Sequence, residues 1–555
     1  MGVVLPASEY VTTVDCTVTF GSSNDTAMLR MRQLDGAGTG MFKYAVGGPD
    51  AGFGSGGTTH VDVFAGGAGN ADSDPKIIAA PGGKMVIQVN DTNANTDGHL
   101  ARITASGALD GTFGTGGRLT WTIPGATQLW GADIALQSDG KILASGMASI
   151  GGNSYGLVTR VLDTGVLDTS FGGGDGMVTL CSSGTSCTAV DVVEASDGSI
   201  FVAGYNMGST TGYVAKLKAD GSLDTTWDSD GYADVVDGAN STNVYALDIA
   251  SDGRVAVTGV RINAPTAMLV SRFLTTGAPD TSVDGDGTLT YIPPGELNAG
   301  LYDMEIEDND RIVAAGYQYN SGTSTMRVAV LRMTAAGALD TSFGGDGVAA
   351  GASGASPWED EGGDVIVQAD GSPVVAGTGM DGGTGDDDFY VTRFQPNGAV
   401  DTTFGTAGNW LSGLSANMWE YGSGITLHTD GSIVAAADYQ AAGVRDTLLV
   451  RFAGTTVADY GGGNLWSGTN SFFGTCLSSV GANTTADWTP SAGCPATDGA
   501  HWQAMPTTGS KVAHSSASLV TAASVNVRFG MQTASSHPPG SYYAPVSFEV
   551  VAPNV

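Results

Sequence analysis

A chain that repeats one short β unit seven times has few ways to fold, because a unit too small to bury its own faces must bury them against its copies. Here an Asp in a Gly-rich marker recurs as PDAGFGSGG from Pro49, LDGTFGTGG from Leu109, LDTSFGGGDG from Leu167, LDTTWDSDG from Leu223, PDTSVDGDG from Pro279, LDTSFGGDG from Leu339 and VDTTFGTAG from Val400. Its Asp falls at Asp50, Asp110, Asp168, Asp224, Asp280, Asp340 and Asp401, at spacings of 56 to 61 residues. A second marker lies between successive copies: PGGKMVIQV from Pro81, QSDGKILASG from Gln137, ASDGSIFVAG from Ala195, ASDGRVAVTG from Ala250, EDNDRIVAAG from Glu307, QADGSPVVAG from Gln368 and HTDGSIVAAA from His428.

Each unit reads as four strands: an alternating run before the DG turn, a β-branched and Ala-rich run after it, a run such as LVTRV or YVAKL, and a short run after the first marker. A DG pair between two apolar runs is a strong hairpin signal, because the turn needs residues that tolerate positive φ. Four-stranded sheets repeated radially cover each other's faces, so the expected fold is all-β, a seven-bladed propeller over residues 49–453. A linear solenoid is the alternative. If the run before the DG turn is innermost, the last blade, from residues 424–452, lacks an outer strand, and Gly57 to Phe64 is expected to supply it.

The paired markers LDTSFGGDG and DGKI-x-x-x-G resemble the delta-60 repeat, a bacterial propeller-type repeat of large exported or surface proteins. The resemblance covers residues 50 to 453, with Val283 in place of the marker aromatic and Pro81-Gly82-Gly83 in place of one DG turn. It implies a fold and brings no catalytic residues with it.

Residues 1–48 and 454–555 lack the repeat but contain strand-like runs, among them CTVTFG at Cys16, AMLRMRQL from Ala27, SVNVRFGMQT from Ser524 and YYAPVSFEVVAP from Tyr542. Since a propeller's ends meet, the two flanks are expected to combine into one β-sandwich into which the propeller is inserted; two separate small domains are the alternative. The ending is similar, in a generic way, to the last strands of Ig-like surface modules.

Lys and Arg total 22 against 56 Asp and Glu, a net charge of −34, which opposes binding to nucleic acid or anionic lipid. No apolar run is long enough for a membrane-spanning helix, and residues 1–20 lack the pattern of a signal peptide. Of five cysteines, Cys181 with Cys187 and Cys476 with Cys494 are spaced for local disulfides, leaving Cys16 either for a bond between chains or as a buried thiol. With abundant Thr, Asn and Gly, this composition suggests an extracellular or cell-surface protein. Self-association, cell-surface components and glycans are the partners expected.

In the propeller alignment, the loops before the inner strands carry Trp130, Tyr245, Tyr302, Trp358, Trp419 and Tyr421 to one face. Such aromatics stack on sugar rings; equally, they wedge between blades. Just inside the same strands lie Asp133, Asp191, Asp248, Asp303 and Asp364, one in each of five blades. Converging at a channel mouth they would raise one another's pKa or recruit Ca²⁺, the one cofactor considered; the plainer reading has each accept backbone amides. The marker Asp residues are expected to cap their turns. The G-x-S-x-G match at Gly152–Gly156 falls between two strands rather than at a strand-to-helix elbow, and the six histidines show no zinc spacing. No catalytic residue is assigned, and the expected role is non-enzymatic: a structural subunit of a layer or filament, or an adhesin, with the propeller as display platform and the flanks for assembly. The alternative is a carbohydrate-binding module or a glycan-active enzyme using the aromatic and acidic face.

Overall fold

The computed structural model describes residues 49–452 except 65–71, 92–95, 182–185, 209–210, 264, 308, 321, 324, 352–360, 369–370, 381–386, 413–419, 429–430 and 442–443, and in the flanks the backbone of their strands. The chain divides into two compact units: Val46–His428 with Ile433–Phe452, and Met1–Ala45 with Thr429–Ser432 and Ala453–Val555.

The first unit is seven four-stranded antiparallel sheets, which we number as blades 1 to 7 in order of their inner strands: Asp72–Ala80, Ala126–Leu136, Cys187–Glu194, Thr242–Ile249, Asn298–Ile306, Glu361–Val367 and Glu420–Leu427. Blades 1 to 6 take all four strands from consecutive sequence. Blade 7 takes its outer strand, Thr58–Val61, from the start of the unit, where it pairs with Val444–Phe452 in the register Thr447↔Val61 to Val450↔Thr58. That is the segment expected to close the ring. The junction is reinforced by Asp50, whose amide donates to the Arg451 carbonyl at 2.6 Å and whose carboxylate accepts Arg451 Nε at 2.9 Å.

The hairpins between inner and second strands follow from the DG marker. In blade 2, Gly140 adopts φ +86°, its amide donates to Gln137 O, and Asp139 Oδ1 accepts the Lys141 amide. Blade 1 meets the same demand with Gly82 and Gly83, both at positive φ.

The first marker builds a clamp between blades. Asp168 Oδ1 accepts the amide and hydroxyl of Ser170, while Oδ2 accepts Arg160 Nε at 2.8 Å. Arg160 Nη1 then donates to the Ala219 carbonyl of the next blade, and the guanidinium lies 4.4 Å from the Phe171 ring centre. The same arrangement joins Arg102 to Asp110 and the Asp163 carbonyl, Arg272 to Asp280 and Ala335, Arg332 to Asp340 and Pro396, and Arg451 to Asp50 and Ala105. Blade 3 substitutes Lys216, 3.6 Å from Asp224. One recurring Asp therefore caps its turn and orients a cation that ties its blade to the next. The marker aromatics Phe53, Phe113, Phe171, Phe343 and Phe404 are fully buried.

In the second unit, strands of the two flanks share sheets. Val11–Phe20 pairs with Ala523–Gln532, Gly2–Leu5 with Gly540–Tyr543, Met41–Lys43 with Thr455–Asp459, and Met28–Gln33 lies between Ser510–Ser515 and Val546–Val551. These strands belong to one sheet of seven strands and one of four, each drawing on both flanks.

Candidate functional site at the channel mouth

Every inner strand carries a register shift near its start: between Ser73 and Lys76, Gly131 and Ile134, Ala189 and Asp191, Val244 and Ala246, Leu301 and Asp303, Gly362 and Asp364, and Gly422 and Gly424. A bulge leaves a residue out of the ladder and re-aims it. Here Asp133, Val190, Tyr245, Tyr302, Gly363 and Ser423 line an axial cavity of about 570 Å³. In blades 2 to 6 the sequence signal for the bulge is the Gly ending the second marker; blades 1 and 7 are bulged with Val89 and Ala437 there. At Gly146, Gly204, Gly259 and Gly316 a Cβ would come within 2.0 to 2.2 Å of an inner-strand carbonyl, so the close approach requires glycine.

Three of the six expected aromatics stand at the mouth. Trp130 is 37% exposed, and Tyr245 and Tyr302 meet edge to face with centroids 5.6 Å apart. Tyr317 stacks on Tyr302 at 5.7 Å and Tyr205 packs against Tyr245 at 6.3 Å, so four tyrosines run across blades 3 to 5. Trp358 and Trp419 lie outside the described residues, and Tyr421 is described only as backbone of its strand.

One step deeper, the ladder resumes at Lys76, Asp191, Ala246, Asp303, Asp364 and Gly424 in blades 1 and 3 to 7, while in blade 2 Asp133 lies in the bulge directly before Ile134. Three of the five expected Asp residues, Asp191, Asp303 and Asp364, thus share one register position, and Asp133 joins them through a hydrogen bond to Asp191. Asp248 does not: it lies two residues further along its strand, at the level of Glu305 in blade 5. Sequence reading overlooked Lys76, Asp74 and Glu305, which line the same cavity. A register count from the second marker would have placed Lys76 opposite Gln88, where blade 3 sets Asp191 opposite Ala203.

The carboxyls act between blades. Asp191 Oδ2 accepts the Leu247 amide at 2.6 Å, Asp248 that of Ile306 at 2.7 Å, Asp303 that of Val365 at 2.8 Å and Asp364 that of Ile425 at 2.8 Å. Glu305 likewise accepts the Val367 amide at 2.5 Å. Backbone amides are therefore their principal partners, and among the described residues no group of three or more His, Cys, Asp or Glu is arranged to hold a metal.

Asp133 and Asp191 share a hydrogen bond, as do Asp303 and Asp364. Burial, with the partner carboxyl beside each, pushes Asp191 and Asp303 well above the usual carboxylate range. Burial opposes the charge on Lys76, but Asp364, Asp133, Asp303 and Asp74 outweigh it and hold its pKa above the ordinary lysine value. Among the described residues no hydrogen bond or ion pair ties the Lys76 ammonium; it stands in the cavity held by field alone.

Burial raises Glu305 to about 8 and Asp248 to about 6, against the pull of the amides each accepts. A carboxyl whose folded pKa exceeds its unfolded one binds more protons when folded, so stability falls as pH rises through that window. The propeller is expected to lose stability between about pH 4 and pH 8, by up to about 5 kcal/mol from Glu305. Solvent in the channel reduces this figure. Thermal melts of wild type and Glu305→Gln across that range test it: the variant should lose most of the decline, and equal slopes would refute the assignment.

Five segments, residues 81–113, 137–171, 195–226, 308–343 and 368–404, match the family described as a domain of unknown function (DUF5122) beta-propeller. The chain is a β-propeller repeat protein. The matched repeats run from the hairpin between inner and second strands into the first marker in blades 1, 2, 3, 5 and 6. Blade 4, where Val283 replaces that aromatic, is not among them. None of the curated proteins matches the propeller chain. Similar solved structures include a polysaccharide lyase of family PL25, an ulvan lyase (11% identity, 71% of this chain and 95% of that one, TM-score 0.41), and the PQQ-bound aldose sugar dehydrogenase of Streptomyces coelicolor (13%, 71% and 98%, 0.31). The β-propeller domain of the Trilobed protease from Pyrococcus furiosus is another (11%, 71% and 97%, 0.37). Nothing about the activity of this propeller follows from likenesses at these values.

Cys181 and Cys187 form a disulfide with Cα atoms 6.3 Å apart, joining the end of blade 2 to the inner strand of blade 3. The expected Cys476–Cys494 bond lies outside the described residues. No helix among the described residues is long and apolar enough to cross a membrane.

Proposed function

We propose that this propeller is a non-enzymatic, extracellular adhesive protein that binds saccharide at its channel mouth, displayed on a β-sandwich formed by its flanks. The observation that carries the reading is Trp130, Tyr245 and Tyr302 ringing a cavity whose floor offers carboxyls and an ammonium. A sugar presents an apolar C–H face for stacking and hydroxyls for hydrogen bonding, and this lining offers both. The Cys181–Cys187 disulfide, the net charge of −34 and the resemblance of the markers to the delta-60 repeat of exported proteins support the compartment. The carboxyls support binding over catalysis, since their oxygens are engaged with neighbouring amides and with one another.

A glycan array probed with wild type and Tyr245→Ala/Tyr302→Ala tests it. Selective binding by wild type, weakened at least tenfold in the double variant, is expected; each lost ring–sugar contact is worth on the order of 1 kcal/mol. Equal binding by both proteins counts against the site. Assembly into a layer or filament is a compatible second reading, favoured by the ten-residue strand Val11–Phe20, which lies at the end of its sheet order. Negative-stain images of native material showing ordered arrays would support it; isolated particles at high concentration, with Ca²⁺ present, would oppose it.

A further inference from the structure

Resting on the saccharide reading, we infer that the channel takes the end of a glycan chain rather than its middle, and that Lys76 is the residue which grips the terminal sugar. The walls carry the first part. Residues of all seven inner strands line the cavity, from Lys76 in blade 1 through Asp133, Asp191, Tyr302 and Asp364 to Ser423 in blade 7. An internal stretch of polymer leaves its site on two sides and therefore needs a groove. A ring of strands has no side exits, so a chain enters along the axis, end first. The order of chemistry along the inner strands agrees: Tyr245 and Tyr302 stand in the bulges at the mouth, and Lys76, Asp191, Asp303 and Asp364 follow directly after the bulges of their own strands.

Lys76 carries the second part. An ammonium that faces several carboxyls normally bonds to one of them, because a charge-assisted hydrogen bond is stronger than attraction across a gap. Here the carboxyls face inward from other blades, yet no hydrogen bond or ion pair ties the ammonium among the described residues. A hydroxyl bridges such a gap: it accepts a hydrogen bond from Lys76 Nζ and donates its own proton to a carboxylate. A terminal sugar, with several adjacent hydroxyls, does this at more than one position. The six carboxyls of Asp74, Asp133, Asp191, Asp303, Glu305 and Asp364 around one ammonium disfavour an anionic terminus, so the terminus is a neutral sugar.

Isothermal titration of the full chain with mono-, di-, tri-, tetra- and hexasaccharides of the cello, manno and chito series tests both parts. Affinity is expected to rise to the di- or trisaccharide of the preferred series and then change less than twofold. Affinity that keeps rising to the hexasaccharide would overturn end-on entry while leaving the saccharide reading intact; no binding by any member would overturn both. Lys76→Met is expected to weaken the preferred disaccharide at least tenfold, with Lys76→Arg retaining most of the affinity. An unchanged affinity in Lys76→Met would remove Lys76 from the site. The length series on wild type decides end-on entry even if the Lys76 variants fail to fold.

Discussion

Replacing Thr59 with Pro and Val61 with Asp should unfold blade 7 first and cost the propeller at least about 4 kcal/mol. Thr58–Val61 is the fourth strand of a blade whose other three come from the far end of the unit, so no sequence-local hairpin holds it. Proline removes an amide from the strand. Val61 is 4% exposed and packs with Phe53, Ile77, Val434 and Leu449, so a carboxylate there loses about 2 kcal/mol of apolar burial and adds the cost of a buried charge. Hydrogen exchange is the informative readout. Amides of Val444–Phe452 should lose protection well before those of Ala267–Phe273, the equivalent strand of blade 4, whose outer partner follows it in sequence. Uniform loss of protection in both strands would mean that ring closure is not the weak seam.

The second large effect is expected at Arg272. Its side chain is 2% exposed, with Nε on Asp280, Nη1 on the Ala335 carbonyl and Nη2 on the Ser282 hydroxyl. Arg272→Met leaves Asp280 with Arg254 as its remaining cation and Ser282 as its hydrogen-bond donor, and breaking a buried pair from one side costs up to about 3–5 kcal/mol. Replacing both partners with apolar residues should recover much of that loss, because no uncompensated charge remains. Blade 3 supplies an internal comparison: Lys216 and Asp224 are each 16% exposed and 3.6 Å apart, so Lys216→Met should cost about 1 kcal/mol or less. Denaturant melts of the three variants separate the cases, and equal losses at Arg272 and Lys216 would contradict the clamp.

Much of the architecture was legible because its determinants are local and repeated. The Asp of the first marker, the Arg eight residues before it and the DG turn recur with little change, and the strand missing from blade 7 is a matter of counting. The site was legible in part. Asp191, Asp303 and Asp364 fall at one register position, with Asp133 hydrogen-bonded to Asp191, whereas Asp248 was grouped with them by distance along the chain. The difference is two residues, enough in a strand to move a side chain to another level of the channel. Lys76 was overlooked because blade 1 departs from the repeat at both ends of its inner strand: Pro75 lies in the bulge and Pro81-Gly82-Gly83 forms the turn. The interblade bonds from inner carboxyls to neighbouring amides depend on how adjacent sheets stagger, which no single strand encodes.

The same geometry explains the opposed pH behaviour expected of the two acid sets. Outside the channel, hydrogen bonds from Ser282 and the positive charges of Arg254 and Arg272 overcome burial and hold Asp280 down to about 2, so its contribution disappears only in strong acid. Inside the channel, the raised carboxyls of Glu305 and Asp248 make neutral or alkaline pH the unfavourable side. Stability is expected to peak in mild acid, between the two windows.

The most direct test of the account is a crystal structure of the full chain soaked with the saccharide that binds best. The account predicts one sugar ring against Tyr245 and Tyr302, with a terminal hydroxyl between Lys76 Nζ and a channel carboxylate and the rest of the chain leaving along the axis. Sugar bound outside the channel, with the mouth unchanged, would contradict it.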